Sequence, residues 1–290
     1  MYSKFNLSVN DYYYNTELNK YLEKGEQIYK EHENIAQNNL KNFIYENGHI
    51  DGTALKNNWF GMEEVDIFIS HSHKDISKVK ALAGWLYQNF KLRVFIDSCV
   101  WNYCDDLLRM IDNNYCYKKE TKMYDYQLRN YTTSHVHIML STALSEMIDK
   151  TECIMFYNTP SSICMKDDIE EIKKNKKDKS SKKVTLSPWI YHELAMTTMI
   201  KTSAPVRKGS VQESFSHHDS KTNNINIEYK VEEYLEDMVS IDEQNLMNWR
   251  NTYRKSQDTI NGNGITSNVN ESNHPLDVLY SLIKHDKCLL

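Results

Sequence analysis

A chain of 290 residues, 40% hydrophobic and 26% charged, is long enough to bury one large core or two smaller ones. Its formal net charge of −5 argues against a general nucleic-acid binder, because a phosphate backbone wants a basic surface. No window approaches the roughly eighteen apolar residues of a membrane span, and the first residues (MYSKFNLSVNDYYYN) lack the apolar core of a signal peptide, so no membrane association and a cytoplasmic location are expected.

Residues 1–61 are polar and tyrosine-rich, with helical periodicity over 18–45 and no strand-like run. They read as a helical extension ahead of a main domain at 62–290. Asp51 and Gly52 mark a turn, and Thr53 is the expected cap of a short helix reaching Trp59 and Phe60. Val65 to Ser70 is a nearly continuous apolar run, as a strand buried on both faces requires. In the segment from Ile76 to Phe90 that follows, Val79, Leu82, Ala83, Leu86 and Phe90 fall on one helical side. Leu92 to Asp97 (LRVFID) is a second buried strand ending in a carboxylate. Strand, helix, strand with short links is a βαβ unit, which implies a parallel α/β sheet with helices on its faces.

Three long insertions are expected, over 98–133, 159–186 and 203–224. The first is irregular and aromatic apart from a short helix over 105–112. Ser134 is the expected cap of a helix over 135–149, and Cys153 to Tyr157 (CIMFY) is a third strand. A polar loop containing the basic run Lys173 to Lys183 leads to Ser187, an N-cap with Pro188 at the first helical position. That helix, Trp189 to about Ile200, places Glu193 one turn after Trp189, on the same face. Beyond it the pattern predicts strands over 225–231 and 235–241, helices over 243–253 and 275–284, and a polar linker over 261–273.

Two segments carry the chemistry: the polar loop Ser70-His71-Ser72-His73-Lys74-Asp75 after the first buried strand, and S-x-W-x-x-x-E-L as Ser187, Trp189, Glu193 and Leu194. In this order, with VFID and CIMFYNT between them, they resemble a Toll/interleukin-1 receptor (TIR) domain over roughly 62–200. The similarity is greatest to TIR proteins of bacterial defence systems such as Thoeris. It implies a flavodoxin-like doubly wound parallel sheet and an NAD⁺ glycohydrolase or cyclase, with NAD⁺ as substrate and no further cofactor. By the same resemblance Glu193 is the catalytic residue, while Ser70, His71, Ser72, Asp97 and Trp189 line the nucleotide site. It further implies homo-oligomerisation through TIR contacts and a downstream effector that senses the nucleotide product, in anti-phage signalling or NAD depletion. The segment after the second strand departs from the family in its length.

The chemistry suits a single carboxylate. Breaking the nicotinamide–ribose bond develops an oxocarbenium-like ribose carbon, and nicotinamide leaves as a neutral ring, so no general acid is needed. Glu193 then serves by stabilising positive charge and holding ribose hydroxyls, and Trp189 by stacking on a ring. Plainer roles stand beside these. Glu193 fits a solvated helix face, Trp189 a core anchor, Asp97 a turn, and Ser70 and Asp75 a strand-to-helix corner with Asp75 as N-cap. A non-enzymatic TIR adaptor is the alternative function. A metal-dependent hydrolase is the third, since His71-Ser-His73-Lys-Asp75 matches most of an HxHxDH motif but has Ile76 in place of the last histidine. The paired His135 and His137 point apart at helical spacing. Six cysteines without regular spacing, Cys99 and Cys104 among them, read as reduced thiols.

Overall fold

A computed structural model describes residues 1–33, 43–44, 49–60, 65–165, 183–203, 228–262 and 274–287. The basic run over 173–182, the loop over 204–224, the strand residues 225–227 and most of the polar linker (263–273) lie outside the described residues. Five parallel strands build the central sheet: β1 (Ser3–Leu7), β2 (Ile67–Ser70), β3 (Val94–Ile96), β4 (Cys153–Tyr157) and β5 (Val239–Ile241), in the order β5-β1-β4-β2-β3. Every neighbouring pair is parallel. The α/β class expected from the βαβ pattern is therefore present. Strands β2, β3 and β4 are buried throughout, which explains why their sequences are runs of Ile, Phe, Val and Met rather than alternations.

The N-terminal segment corrects the expectation that residues 1–60 hold no strand. Ser3–Leu7 lies inside the sheet, pairing with β4 on one side and β5 on the other. Its polar members hid it: Phe5 and Leu7 are buried, while Lys4 and Asn6 alternate with them and find polar partners. Lys4 Nζ reaches the Thr197 carbonyl at 3.0 Å and also pairs with Asp237.

Helix α1 (Leu22–Glu33) packs against α3 (Ile76–Phe90), and α2 (Gly52–Trp59) against α5 (Tyr126–Lys150). Asp51, not Thr53, caps α2, accepting from the Ala54 amide at 2.8 Å. Behind α3, Phe90 stacks on Trp249 of α7 (Glu243–Gly262) with centroids 4.1 Å apart, and α7 packs on α8 (Pro275–Lys287). The 98–133 segment is more regular than its sequence implied. Helix α4 (Ser98–Ile111) begins directly after Asp97, and a short antiparallel pair joins Tyr117–Lys118 to Met123–Tyr124. Helix α5 starts well before Ser134, because Asp125 caps it by accepting from the Gln127 and Leu128 amides. Beyond β4, Cys164–Met165 and Tyr229–Lys230 flank Lys183–Thr185 in a small antiparallel sheet. Helix α6 (Pro188–Met199) is capped as expected by Ser187, whose Oγ accepts from the Ile190 amide at 3.3 Å.

The chain leaves β2 through α3 to reach β3 on one side, whereas it leaves β4 toward β5 on the other. The two paths diverge between β2 and β4, and ligands of open α/β sheets settle at the carboxyl ends of strands beside such a point. No described helix is long and apolar enough to cross a membrane. Cys104, Cys116 and Cys153 form no disulfide.

Candidate functional site

At the carboxyl end of β2, four of the residues singled out in the sequence converge. Ser70 closes β2, His71 follows it, Asp97 follows β3, and Glu193 comes from the second turn of α6. Register explains the meeting of the first three: Ile69 pairs with Ile96 across β2 and β3, so both strands end at the same level. The Asp97 amide donates to the Ile69 carbonyl, and the His71 amide donates to Asp97 Oδ2, each at 3.3 Å. Helix α6 brings Glu193 in from above, where Ser70 Oγ donates to Glu193 Oε2 at 2.5 Å. The Nδ1 atom of His71 lies against Asp97 Oδ1. The carboxyl groups of Asp97 and Glu193 lie close enough to perturb each other's ionisation.

The cluster is sealed. Ser70, His71, Asp97 and Glu193 are all 1% exposed or less. Five buried polar atoms here have no hydrogen-bond partner among the described residues: His71 Nδ1 and Nε2, Asp97 Oδ1, Ser98 Oγ and Glu193 Oε1. An orphaned buried polar atom costs about 1–3 kcal/mol, so this end of the sheet holds stored cost that a polar ligand or water would relieve.

Burial also sets the charge. Loss of solvent pushes the Glu193 carboxyl well above the usual carboxylate range, with the neighbouring Asp97 charge adding to it and the Ser70 bond opposing it. Asp97 is pushed up to about 8, again chiefly by burial. His71 is lowered to about 4 by burial, against the pull of Glu193 and Asp75. Burial therefore favours the neutral form of all three groups, pushing both carboxyls toward protonation and the imidazole away from it.

A pH dependence of stability follows. The raised carboxyl contributes stability that is complete below an unfolded value near 4 and lost as pH rises toward 8. The lowered imidazole contributes stability that is complete above about 6.5 and lost as pH falls toward 4. Above pH 6.5 only the carboxyl slope remains, about 1.4 kcal/mol per pH unit for each raised carboxyl. Thermal melts at pH 6.5, 7.2 and 8 are expected to show falling stability in the wild type and a flattened dependence in Asp97→Asn. Equal slopes in the two proteins would dismiss a raised Asp97 carboxyl.

Other predicted residues sit elsewhere. Trp189 is half-buried and edge-on to His137 of α5, with ring centroids 5.7 Å apart, in the packing between α6 and α5. Ser72 is half-buried and heads the 3₁₀ turn His73–Asp75 without a side-chain capping bond. Asp75 does not cap α3 with its side chain; its Oδ2 accepts from Thr159 Oγ1 at 2.5 Å, tying the loop after β2 to the loop after β4. Within the HSHKD loop His71 is buried and His73 exposed, so the two histidines do not face one space. His135 is edge-on to Tyr131 on its own helix.

Two features of this end were not read from the sequence. Ser98 adds a buried hydroxyl beside Asp97, signalled only by its following the carboxylate. An open recess of about 200 Å³ lies over β1, β4 and β5, lined by Asn6, Asn158, Ser240, Asp242 and Asn245. Drug-sized and cofactor-sized ligands occupy roughly 300–1,000 Å³, so the recess seats a fragment of a dinucleotide at most. Comparisons with protein-family models, with curated proteins and with solved structures gave no match to this chain.

Proposed function

We propose that the chain is a TIR-type NAD⁺ glycohydrolase or cyclase that uses Glu193. The observation that carries this reading is the meeting of Ser70 and Glu193, 123 residues apart in sequence, beside the strand divergence where α/β sheets bind ligands. The sequence of events is simple. The C1′–N bond of NAD⁺ breaks, its electron pair goes to the pyridinium ring, and the ribose carbon becomes cationic. The Glu193 carboxylate faces that charge and holds ribose hydroxyls, with Ser70 fixing the orientation of its other oxygen. Water then gives ADP-ribose, or an adenine nitrogen gives a cyclic product.

Glu193 is 1% exposed, so substrate reaches it only after a covering segment moves. The loop from Ser72 to Asp75 and the first turn of α4 are the adjacent elements. Rehydration on opening, and contact with the cationic nicotinamide ring, both favour the ionised carboxylate. A chain that must open before acting suits a defence enzyme triggered by assembly, the setting that the TIR resemblance implies for its homo-oligomer and its product-sensing partner. Complete burial of the carboxylate is also what favours the non-enzymatic adaptor, in which the cluster only organises the loop.

The test is incubation of purified protein with NAD⁺, with and without a crowding agent, and mass spectrometry of the nucleotides. Nicotinamide with ADP-ribose or its cyclic form is the expected result. Intact NAD⁺ under every assembly condition tried, from a protein shown to oligomerise, would favour the adaptor.

A further inference from the structure

At the opposite, amino-terminal end of the sheet, Glu152, His274 and Asp277 come together. Each offers one ligand atom, and these atoms lie within 4.8 Å of one another. Glu152 precedes β4, and its carbonyl accepts from the Tyr2 and Ser3 amides at the start of β1. His274 immediately precedes α8 and Asp277 lies in its first turn, where the Asp277 amide donates to the His274 carbonyl at 3.0 Å. Tyr280, one turn further along α8, donates its hydroxyl to Glu152 Oε1 at 3.1 Å, which orients the carboxylate. His274 Nδ1 is buried and has no hydrogen-bond partner.

We propose that Glu152, His274 and Asp277 bind a divalent transition-metal ion, Zn²⁺ by preference, which clamps α8 to the amino end of β1 and β4. An imidazole nitrogen with two carboxylate oxygens is a donor set that suits zinc, leaving a fourth position for water. Zinc bonds of about 2.0–2.1 Å in a tetrahedron hold ligand atoms about 3.4 Å apart. The ligand atoms, within 4.8 Å of one another, therefore close by at most about 1.4 Å on binding. The Tyr280 bond to Glu152 is the outer contact that metal-ligating carboxylates characteristically have.

Because the site lies at the other end of the strands from Glu193, its role is structural, and its test is independent of NAD⁺ cleavage.

The full chain is stripped with EDTA, dialysed, and titrated with ZnCl₂, reading bound metal by elemental analysis and stability by thermal melt. Expected are about one zinc per chain and a melting temperature that rises with zinc concentration, as mass action requires of an ion held by the folded state. MgCl₂ should not reproduce the rise. His274→Ala and Asp277→Asn are each expected to weaken zinc binding by about 10–100-fold, the usual range for losing a ligand or its support. Asp277→Asn, which keeps size and polarity, guards against a folding failure in His274→Ala. No zinc-dependent rise in the wild type, or an equal rise in both folded variants, would overturn the proposal.

Discussion

Glu193→Gln is expected to abolish nicotinamide release, by about 10³-fold, and at the same time to raise thermal stability. The two effects share one cause. Glutamine keeps the shape of the side chain and still accepts from Ser70 Oγ, so the cluster is not emptied. What disappears is an ionisable group held 1% exposed against a second carboxyl. In the proposed reaction that charge would face the ribose cation, and removing a preorganised electrostatic group costs about 10²–10³ in rate where it has been measured. In the resting protein the same carboxyl is held away from its ionised form by burial, a cost that glutamine removes; replacing whole buried ion pairs with neutral groups is neutral or stabilising by about 1–4 kcal/mol. At roughly 2–4 °C per kcal/mol for a chain of this size class, the melting point should rise by several degrees. Mass spectrometry and a thermal melt on one preparation separate the readings. Equal cleavage by the variant would remove Glu193 from the chemistry. Loss of cleavage together with a lower melting point would mean that the cluster is structural.

Legibility in the sequence followed burial. Where both faces of a strand are covered, the residues had to be a continuous apolar run, so β2, β3 and β4 were found with little error. Cys153–Tyr157 matches the observed strand, as Ile76–Phe90 matches its helix. Strand β1 escaped because Lys4 and Asn6 occupy alternate positions of a central strand, and only tertiary contacts reveal that Lys4 is satisfied by Thr197 and Asp237. The 98–133 segment differs for another reason: its tyrosines suggest a loop, while Asp125 is the cap that starts α5. In the site, spacing alone could bring neither Ser70 to Glu193 nor Asp97 to His71; the carry-over from the TIR resemblance named them, and strand register explains their meeting. Trp189 shows the limit of that carry-over. A shared helical face with Glu193 does not guarantee a shared pocket, and the ring packs on His137 instead.

Gly84→Ala is expected to destabilise the fold by more than about 3 kcal/mol, and Gly25→Ala by a similar amount, because α1 and α3 cross with backbone against backbone. A Cβ on Gly84 would lie 2.2 Å from the Tyr21 carbonyl oxygen and 2.8 Å from the Gly25 nitrogen. One on Gly25 would lie 1.7 Å from the Lys80 carbonyl oxygen and 2.4 Å from its carbon. The contact is reciprocal: each glycine meets the carbonyl one turn before the other glycine. No rotamer change relieves it, since the obstructing atoms are main chain, so the helices must part. Alanine in a helix interior ordinarily gains up to about 1 kcal/mol over glycine, whereas inserted methyl groups in packed cores cost about 1–3 kcal/mol and more when backbone must shift. The steric side wins here, for Leu82, Ala83, Trp85 and Leu86 of α3 are fully buried against their surroundings and would be displaced with it. Gly52→Ala is the matched control. Its Cβ meets only the terminal methyl of Met139, at 3.4 Å, so the propensity gain should survive and the variant should melt at or above the wild-type temperature. If Gly84→Ala melts with Gly52→Ala, the two helices do not cross this closely. If it falls by roughly 6 °C or more, the crossing that holds α3 in place beneath the Ser70–Asp75 loop is as close as the backbone geometry requires.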